Sequence, residues 1–394
     1  MSRKRRKPKN EAELKNYNLK NFVNEKVYSP IETNNVKKIA DAAIKILSEI
    51  GMSDAPKELC ELVLKRGGKL EGDRLIYPPN LIENTIAKHQ RVVLLAGQTI
   101  ENDLHVGGNH VYAGTGGAAP HLQNSKTNEY VPSKLKDLYN AARLADRLPH
   151  ISFFSRSLVA GDVEDPLEFD LSTAAASLAG TSKHVMVQAS HWSHVVAIAE
   201  LCYKIAGGEE SFRKRPFLSL HVNHAVPPLR FDPASIKVMI EAVKLGIPVH
   251  CNVFGQLGAS SPVTIAGSVS QTLAENLAGL VAVHILDPEA PSIAGPRPMI
   301  TDLRTGGMAG GAPEQLMATA AAVQVMQYWD IPCSVIAGAT DSKLVDFQSG
   351  YEKALTINSA AQTGANLITQ AAGSQASLMA VNYGAMVADN ELIG

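Results

Sequence analysis

PSIAGPRPMITDLRTGGMAGGAPEQ (residues 291–315) and IPCSVIAGATDSKLVDFQSGYEK (residues 331–353), separated by an apolar helical stretch, decide how the rest of this chain is read. In each, a short β-rich run ends in Ala-Gly, at Gly295 and at Gly338, then opens into a loop bearing Asp, Arg or Lys before helical periodicity resumes. A strand that stops at glycine and presents charged groups ahead of a helix is how α/β barrels build active sites, because loops carry chemistry on a rigid frame. The two segments predict an enzyme.

Outward from them the same alternation repeats. Extended runs begin near residues 111, 151, 184, 217, 248, 292, 333 and 366, at intervals of 31 to 44 residues. Helical patterns fall between them at 133–146, 166–179, 192–206, 233–245, 268–286, 313–328 and 346–363. Strands alternating with helices at this spacing mean βα units and a parallel sheet. Eight units across residues 109–394 match an α/β fold of the (β/α)8 TIM-barrel type. An open doubly wound sheet is the alternative, but no GxGxxG marks the first βα turn and no acidic partner follows it.

Ahead of the barrel, Val36, Ile39, Ala43, Ile46, Leu47 and Ile50 share one helical face and Gly51 stops the helix. A second helix near 56–66, a short extended piece at 74–77, a helix opened by Pro78-Pro79 and the strand-like RVVLLAG complete a small N-terminal α/β extension over 34–108. Residues 1–33 begin MSRKRRKPKN, with no apolar stretch behind the basic run to make a secretory signal. They read as a disordered, solubilising tail.

The 394 residues are 45% hydrophobic and 19% charged with a net charge of −1, which suits a globular protein with a large core. A nearly neutral chain gives no reason to expect nucleic acid as a partner, and no unbroken apolar run of eighteen residues calls for a membrane. Cys60, Cys202, Cys251 and Cys333 are far apart and form no CxxC pair, so reduced thiols in a cytoplasmic protein are expected. Helix periodicity alone does not separate a homo-oligomer interface from barrel packing.

If strand ends carry the chemistry, the candidates can be read in order. They are Tyr112 with the glycine turn at 114–117, then Arg156 and Ser157, then Gln188, His191 and Trp192. His221, Asn223 and His224 follow, then His250, Asn252, Phe254 and Gln256. The last strands supply Arg297, Asp302 and Arg304, then Asp341, Ser342 and Lys343, then Gln370 and Ser374, with Gln348 and Tyr351 in the first turns of the next helix. His221 and His224 lie three apart on a strand end and face different ways, with no Glu or Cys nearby, so no metal site is assigned. Arg304 with Asp302 reads either as a surface ion pair of little worth or as a carboxylate or phosphate holder at a helix entrance. The GGMAGG glycines lack the Gly-Lys-Ser/Thr ending of a phosphate loop. Asp341 and Lys343 read as a cap and a solvated lysine, or as site groups after Gly338.

At these residues the chain resembles the trimethylamine methyltransferase family, most strongly through GQLGASSPVTIAG (255–267), GGMAGGAPEQ (306–315), AGATDSKLVDFQSGYEK (337–353) and GANLI (364–368). The resemblance implies a (β/α)8 barrel that moves a methyl group from a small methylated amine to the Co(I) of a separate corrinoid protein, holding no tightly bound cofactor of its own. It places Ala339, Asp341 and Lys343 at the catalytic motif, where the family's trimethylamine enzymes carry pyrrolysine at the position of Ala339. Family members continue beyond the point where this chain stops, at Gly394 inside DNELIG, so the resemblance also implies a barrel truncated at its C-terminus. A quaternary ammonium already bears the charge that a tertiary amine must acquire before it loses methyl, and needs positioning and desolvation more than an acid. Ala339 therefore points to a quaternary donor such as glycine betaine, with trimethylamine without pyrrolysine, or a non-catalytic amine-binding barrel, as alternatives. Aromatic faces suited to the cationic head are Phe154, Trp192, Phe254, Phe347 and Tyr351. Groups suited to a carboxylate are Arg304, Arg297, His221 and His250, with Asn223 and Gln348 beside them.

Overall fold

Eight short parallel strands, each followed by a helix, make up most of the computed structural model, which describes residues 28–394. The first four units are β1 (Tyr112–Ala113) with α1 (Leu135–Arg147), β2 (Phe153–Ser155) with α2 (Pro166–Gly180), β3 (His184–Val187) with α3 (Trp192–Ala206), and β4 (Leu218–Val222) with α4 (Pro233–Lys244). The second four are β5 (Val249–Gln256) with α5 (Ile265–Leu286), β6 (Ser292–Met299) with α6 (Pro313–Tyr328), β7 (Ser334–Ile336) with α7 (Phe347–Thr363), and β8 (Leu367–Thr369) with α8 (Tyr383–Ile393). Up to residue 27 the basic tail lies outside the described residues.

Helix starts follow local chemistry. Asp165 and Asp232 accept the N–H of Glu168 and Ala234, and each is followed by a proline that presets the first turn. Thr264 caps α5 three residues ahead of the expected start, accepting from Gly267. No expected helix covers α8, whose Asn382 cap accepts from Ala385.

The strands form a five-stranded parallel sheet in the order β6-β5-β4-β3-β2, open at both edges, and a three-stranded parallel sheet in the order β7-β8-β1. A continuous eight-strand ladder, the sequence expectation, is not formed: isolated parallel bridges join the two sheets, Gly114↔Phe153 and, between the following loops, Ala119↔Leu158 at one seam and Ala294↔Cys333 at the other. Both seams have a chemical cause. The Ala294 N–H donates to Pro332 across one of them, and the next donors on that side of β6 would be residues 296 and 298, both prolines. At the other, the Thr115 hydroxyl takes over from the backbone, donating to Ser155 O and accepting from Ser155 N.

The end from which the strands start is filled. An antiparallel hairpin, Val92–Leu95 with Leu104–Gly107, packs Val93, Leu95, Leu104 and Val106 against Tyr112, Phe153, Met186, Ile293 and Leu367 from β1, β2, β3, β6 and β8. Polar access is left to the opposite end. There the loops after β1 and β8 build a small four-stranded sheet from His121–Gln123, Tyr130–Pro132, Ser374–Gln375 and Ala380–Val381. The N-terminal helix Thr33–Glu49 buries Val36, Ile39, Ala40, Ala43 and Leu47 in the main core, against α5. Helix α5 is long and apolar enough to cross a membrane by length and composition, yet it is enclosed within the protein.

Candidate active site

The C-terminal ends of the strands converge on a cavity of about 210 Å³. Side chains two apart on a strand share a face, which is how His221 with Asn223 and Asn252 with Phe254 come to point into it together. Arg156 and Gln188 enter from the ends of β2 and β3, Arg297 from β6, and Gln370 and Leu378 from beyond β8. Among the described residues, no Asp or Glu lines it.

Arg297 is the most unusual group in the cavity. It is 3% exposed, its Nε and Nη1 meet no acceptor among the described residues, and Nη2 makes one long bond of 3.4 Å to Ser334 Oγ. Burial pulls its pKa down to about 9, so it remains a guanidinium at neutral pH. Arg156 donates to Gln188 Oε1 through Nη2, and its Nε is buried with no partner among the described residues. Burial lowers its pKa as well, against the opposing pull of Asp170. A buried guanidinium, Arg297, and a partly buried one, Arg156, face one small space with unused donors.

His221 forms the floor. Its Nε2 lies 3.1 Å from Ser155 Oγ and its Nδ1 3.0 Å from the Asn252 amide nitrogen. With that amide donating to Nδ1, the ring hydrogen sits on Nε2 and points to Ser155. Burial, then His250, Arg297, Arg156 and His184, hold the His221 pKa well below 6.5. Below it His184 and His250 share Ser219 Oγ at 2.8 and 2.9 Å, and burial brings His184 down to about 4. Gly295 makes this arrangement fit: a Cβ there would stand 2.1 Å from Asn252 Oδ1.

The motif loop after β7 borders the cavity from behind one layer of side chains. Ala339 is 1% exposed and packs with Met299, Ile336, Met308, Phe254 and Leu378, of which Phe254 and Leu378 line the cavity and Ala339 does not. Gly338 turns the chain at φ +87°, and a Cβ there would meet Ala371 Cα at 2.9 Å. Asp341 acts as a clamp, its Oδ1 accepting from Gly310 N at 3.0 Å and Ser377 Oγ at 2.8 Å, its Oδ2 from Gly311 N at 3.2 Å. Glu352 holds the same loop through Thr340 Oγ1 and Asp341 N. Lys343 is exposed and donates to its neighbour Asp341 O at 2.6 Å.

Of the residues singled out from the sequence, the structure thus gathers His221, Asn223 and Phe254 with Arg156, Gln188, Asn252, Arg297 and Gln370. Others it does not gather. Arg304 is exposed at a hairpin tip, 3.3 Å from Asp302. Trp192 stands at the start of α3 beside His191, half-exposed. Phe347 is 87% exposed and Tyr351 68%, and both border a surface groove on α7. Gln348 is exposed and donates to Glu352. Phe154 is buried in the core and His250 lies beneath the floor. Among the described residues no group of three or more His, Cys, Asp or Glu side chains is placed to hold a metal ion. One neighbour has no signature in the strand pattern: Asp170, on α2, faces a second cavity of about 450 Å³ that shares Arg156, Gln188, His221 and Asn223 with the first.

All 394 residues match the family model described as trimethylamine methyltransferase. The chain belongs to the trimethylamine methyltransferase family. It is 27% identical to trimethylamine methyltransferase MttB of Desulfitobacterium hafniense, over 97% of this chain and 75% of that protein. It is 26% identical to a glycine betaine methyltransferase from another strain of that species, over 93% of this chain and 76% of that protein. A trimethylamine methyltransferase of Methanosarcina thermophila is 27% identical over 91% of this chain and 75% of that protein. Among solved structures, the carboxyl transferase domain of Rhizobium etli pyruvate carboxylase aligns with 85% of this chain and 50% of that one, at a TM-score of 0.38 and 9% identity. A likeness that distant carries no argument. The family gives the central cavity its context, since the motif loop at 337–343 packs against the cavity wall.

Proposed function

We propose that this member of the trimethylamine methyltransferase family moves a methyl group from a carboxylate-bearing quaternary amine, a betaine, to the Co(I) of a corrinoid carried by a partner protein. The observation behind the choice of donor is the pairing of Arg156 with Arg297 around a cavity that no Asp or Glu lines. Two positive groups repel a donor that is only a cation, and a carboxylate changes the sign of that interaction. A betaine brings its own anion.

The chemistry asks little else of the protein. A quaternary ammonium leaves as a neutral tertiary amine, so no proton has to be supplied to the departing nitrogen. His221, held neutral and hydrogen-bonded on both ring nitrogens, suits a floor that orients rather than donates. The guanidinium groups fix one end of the donor, and the apolar side formed by Phe254 and Leu378 keeps water from the other. A 210 Å³ space is far too small to enclose a corrin macrocycle, which agrees with a corrinoid presented from outside. The corrinoid supplies the nucleophile that accepts the methyl group.

The same reading takes the two parallel sheets as arcs of one closed (β/α)8 barrel over 109–394, with 34–108 as its N-terminal extension. Support comes from the parallel bridges at both seams and from the hairpin whose side chains touch strands of both sheets.

Trimethylamine is the second reading of the donor. It is favoured by the names of two of the three relatives given above, although identities of 27% and 26% do not separate them. A donor screen against reduced free cobalamin decides. Methylation by glycine betaine, seen as the loss of the Co(I) absorption bands, is the expected result. Methylation by trimethylamine alone replaces the betaine reading, and amine binding by calorimetry without any cobalt change leaves a binding protein in place of an enzyme.

A further inference from the structure

The second cavity differs from the first in its charge. It opens beside the first, between α2 and α4, and its wall adds Phe169, Asp170, Ser190 and Ser235 to the four shared residues. Asp170 is 2% exposed. Among the described residues its hydrogen bonds fall on one oxygen: Oδ2 accepts Ser190 N, Ser190 Oγ and His194 Nδ1, each at 2.7 Å, and Oδ1 accepts none. Arg156, poised 5.7 Å over the Phe169 ring, lies in the partition between the cavities and is tied there to Gln188. One guanidinium therefore belongs to both spaces. On one side its companion is Arg297; on the other it is Asp170 with a free carboxylate oxygen.

We infer that the α2–α4 chamber is a second station for a zwitterionic methylated amine, which rests its ammonium on Asp170 and its carboxylate on Arg156 before, or after, it occupies the central cavity. This rests on the betaine reading. A zwitterion fits the chamber because a carboxylate and a guanidinium stand there together, and 450 Å³ accommodates a molecule of that size. It has reason to exist because the partner's corrinoid must cover the mouth of the central cavity during transfer. The amine then needs a way in or out that does not wait for the partner to leave. Moving between stations, the carboxylate stays on Arg156 while the ammonium end swings away from Asp170, so only one of the two charges changes partner on the way.

Two single-charge probes separate the stations in the full chain. Tetramethylammonium is expected to bind the chamber and acetate the central cavity, measured by calorimetry. Asp170→Asn, which keeps an acceptor for Ser190, is expected to weaken tetramethylammonium about tenfold, the scale of a lost charged contact, and to leave acetate unchanged. Arg297→Met is expected to do the reverse. Val238→Phe, which fills the chamber from α4 without touching Asp170, repeats the first result if Asp170→Asn folds poorly. Tetramethylammonium binding that ignores both Asp170→Asn and Val238→Phe overturns the inference. If betaine-dependent cobalt methylation persists alongside that result, the station is wrong and the proposed reaction stands; if betaine neither binds nor reacts, both fall.

Discussion

Phe254 and Arg297 sit directly opposite each other in the β5–β6 ladder, and the guanidinium carbon lies 5.2 Å from the ring centroid. The aromatic face is the main compensation the protein gives a cation whose Nε and Nη1 have no acceptor. Such a group is kept at a cost to the fold.

Arg297→Met is therefore expected to pull stability and function apart. Removing a buried, under-partnered charge is expected to raise the urea midpoint, by about 1 kcal/mol or more in unfolding free energy. The same change is expected to weaken betaine binding about 100-fold, equivalent to about 2.7 kcal/mol. A variant that is less stable and binds betaine normally contradicts both halves.

Asp341→Ala removes three acceptor contacts that join the loops after β6, β7 and β8. A loss of about 1–3 kcal/mol is expected, because the amides of Gly310 and Gly311 lose their partner. Amide exchange at those two glycines is expected to accelerate, and cobalt methylation to fall. Unchanged exchange and full activity would remove any role for this carboxylate beyond the surface.

Lys353 Nζ and Asp389 Oδ2 meet at 2.6 Å where α7 packs on α8, with both side chains buried. Burial works against each charge, and their contact restores both. Lys353→Met leaves a lone carboxylate inside and is expected to cost about 3–5 kcal/mol. The double variant Lys353→Met/Asp389→Asn, which still accepts the Gly373 N–H, is expected to be more stable than the single one. Denaturation curves of the three proteins check this.

Acid is expected to weaken the fold through its interior histidines. His184, His221 and His250 have folded pKa values pushed below 6.5 by burial, to about 4 for His184. Between those values the unfolded chain takes up protons that the folded one refuses, so stability is full above about pH 6.5 and falls as pH drops toward 4. Each such group adds about 1.4 kcal/mol per pH unit to the slope. Urea midpoints from pH 7.5 to 5 are expected to fall less steeply for His184→Gln; an unchanged slope removes His184 from the account.

Much of the central cavity was legible because strand ends announce themselves. The HxN pair at His221 marks the end of β4, while β5 begins at the His250 pair and runs on to Gln256, and β6 runs past Gly295 to Met299 with Arg297 still on the strand. The aromatic candidates misled for a physical reason: Phe347 and Tyr351 occupy the first turns of α7, where the helix turns them to solvent, and chemical suitability for a cation says nothing about direction. Asp170 was illegible since a carboxylate inside the helical run PLEFDLSTAAASLAG looks like any polar position until α2 is seen against the strand ends. The seams escaped notice as well; Pro296 and Pro298 read as the loop that follows Gly295, and only the register of β6, which extends to Met299, reveals that both fall on the side facing β7. Helix α8 lacks a regular apolar stripe, which left the helix of the eighth unit unmarked although its strand near 366 was read.

The two sheets also divide the labour of recognition. Arg156, Gln188, His221, Asn252, Phe254 and Arg297 all ride on the five-stranded arc or its loops, whereas the three-stranded arc contributes Gly117, Ala118, Gln370 and Leu378, with Ala339 behind them. On the betaine reading, the anchor for the carboxylate and much of the contour that meets the other end thus lie on different sheets, joined at the seams by isolated bridges. Such a layout lets the contour be recut, at positions such as 378 or 339, while the anchor keeps its spacing, an economical route by which one scaffold acquires new methyl donors.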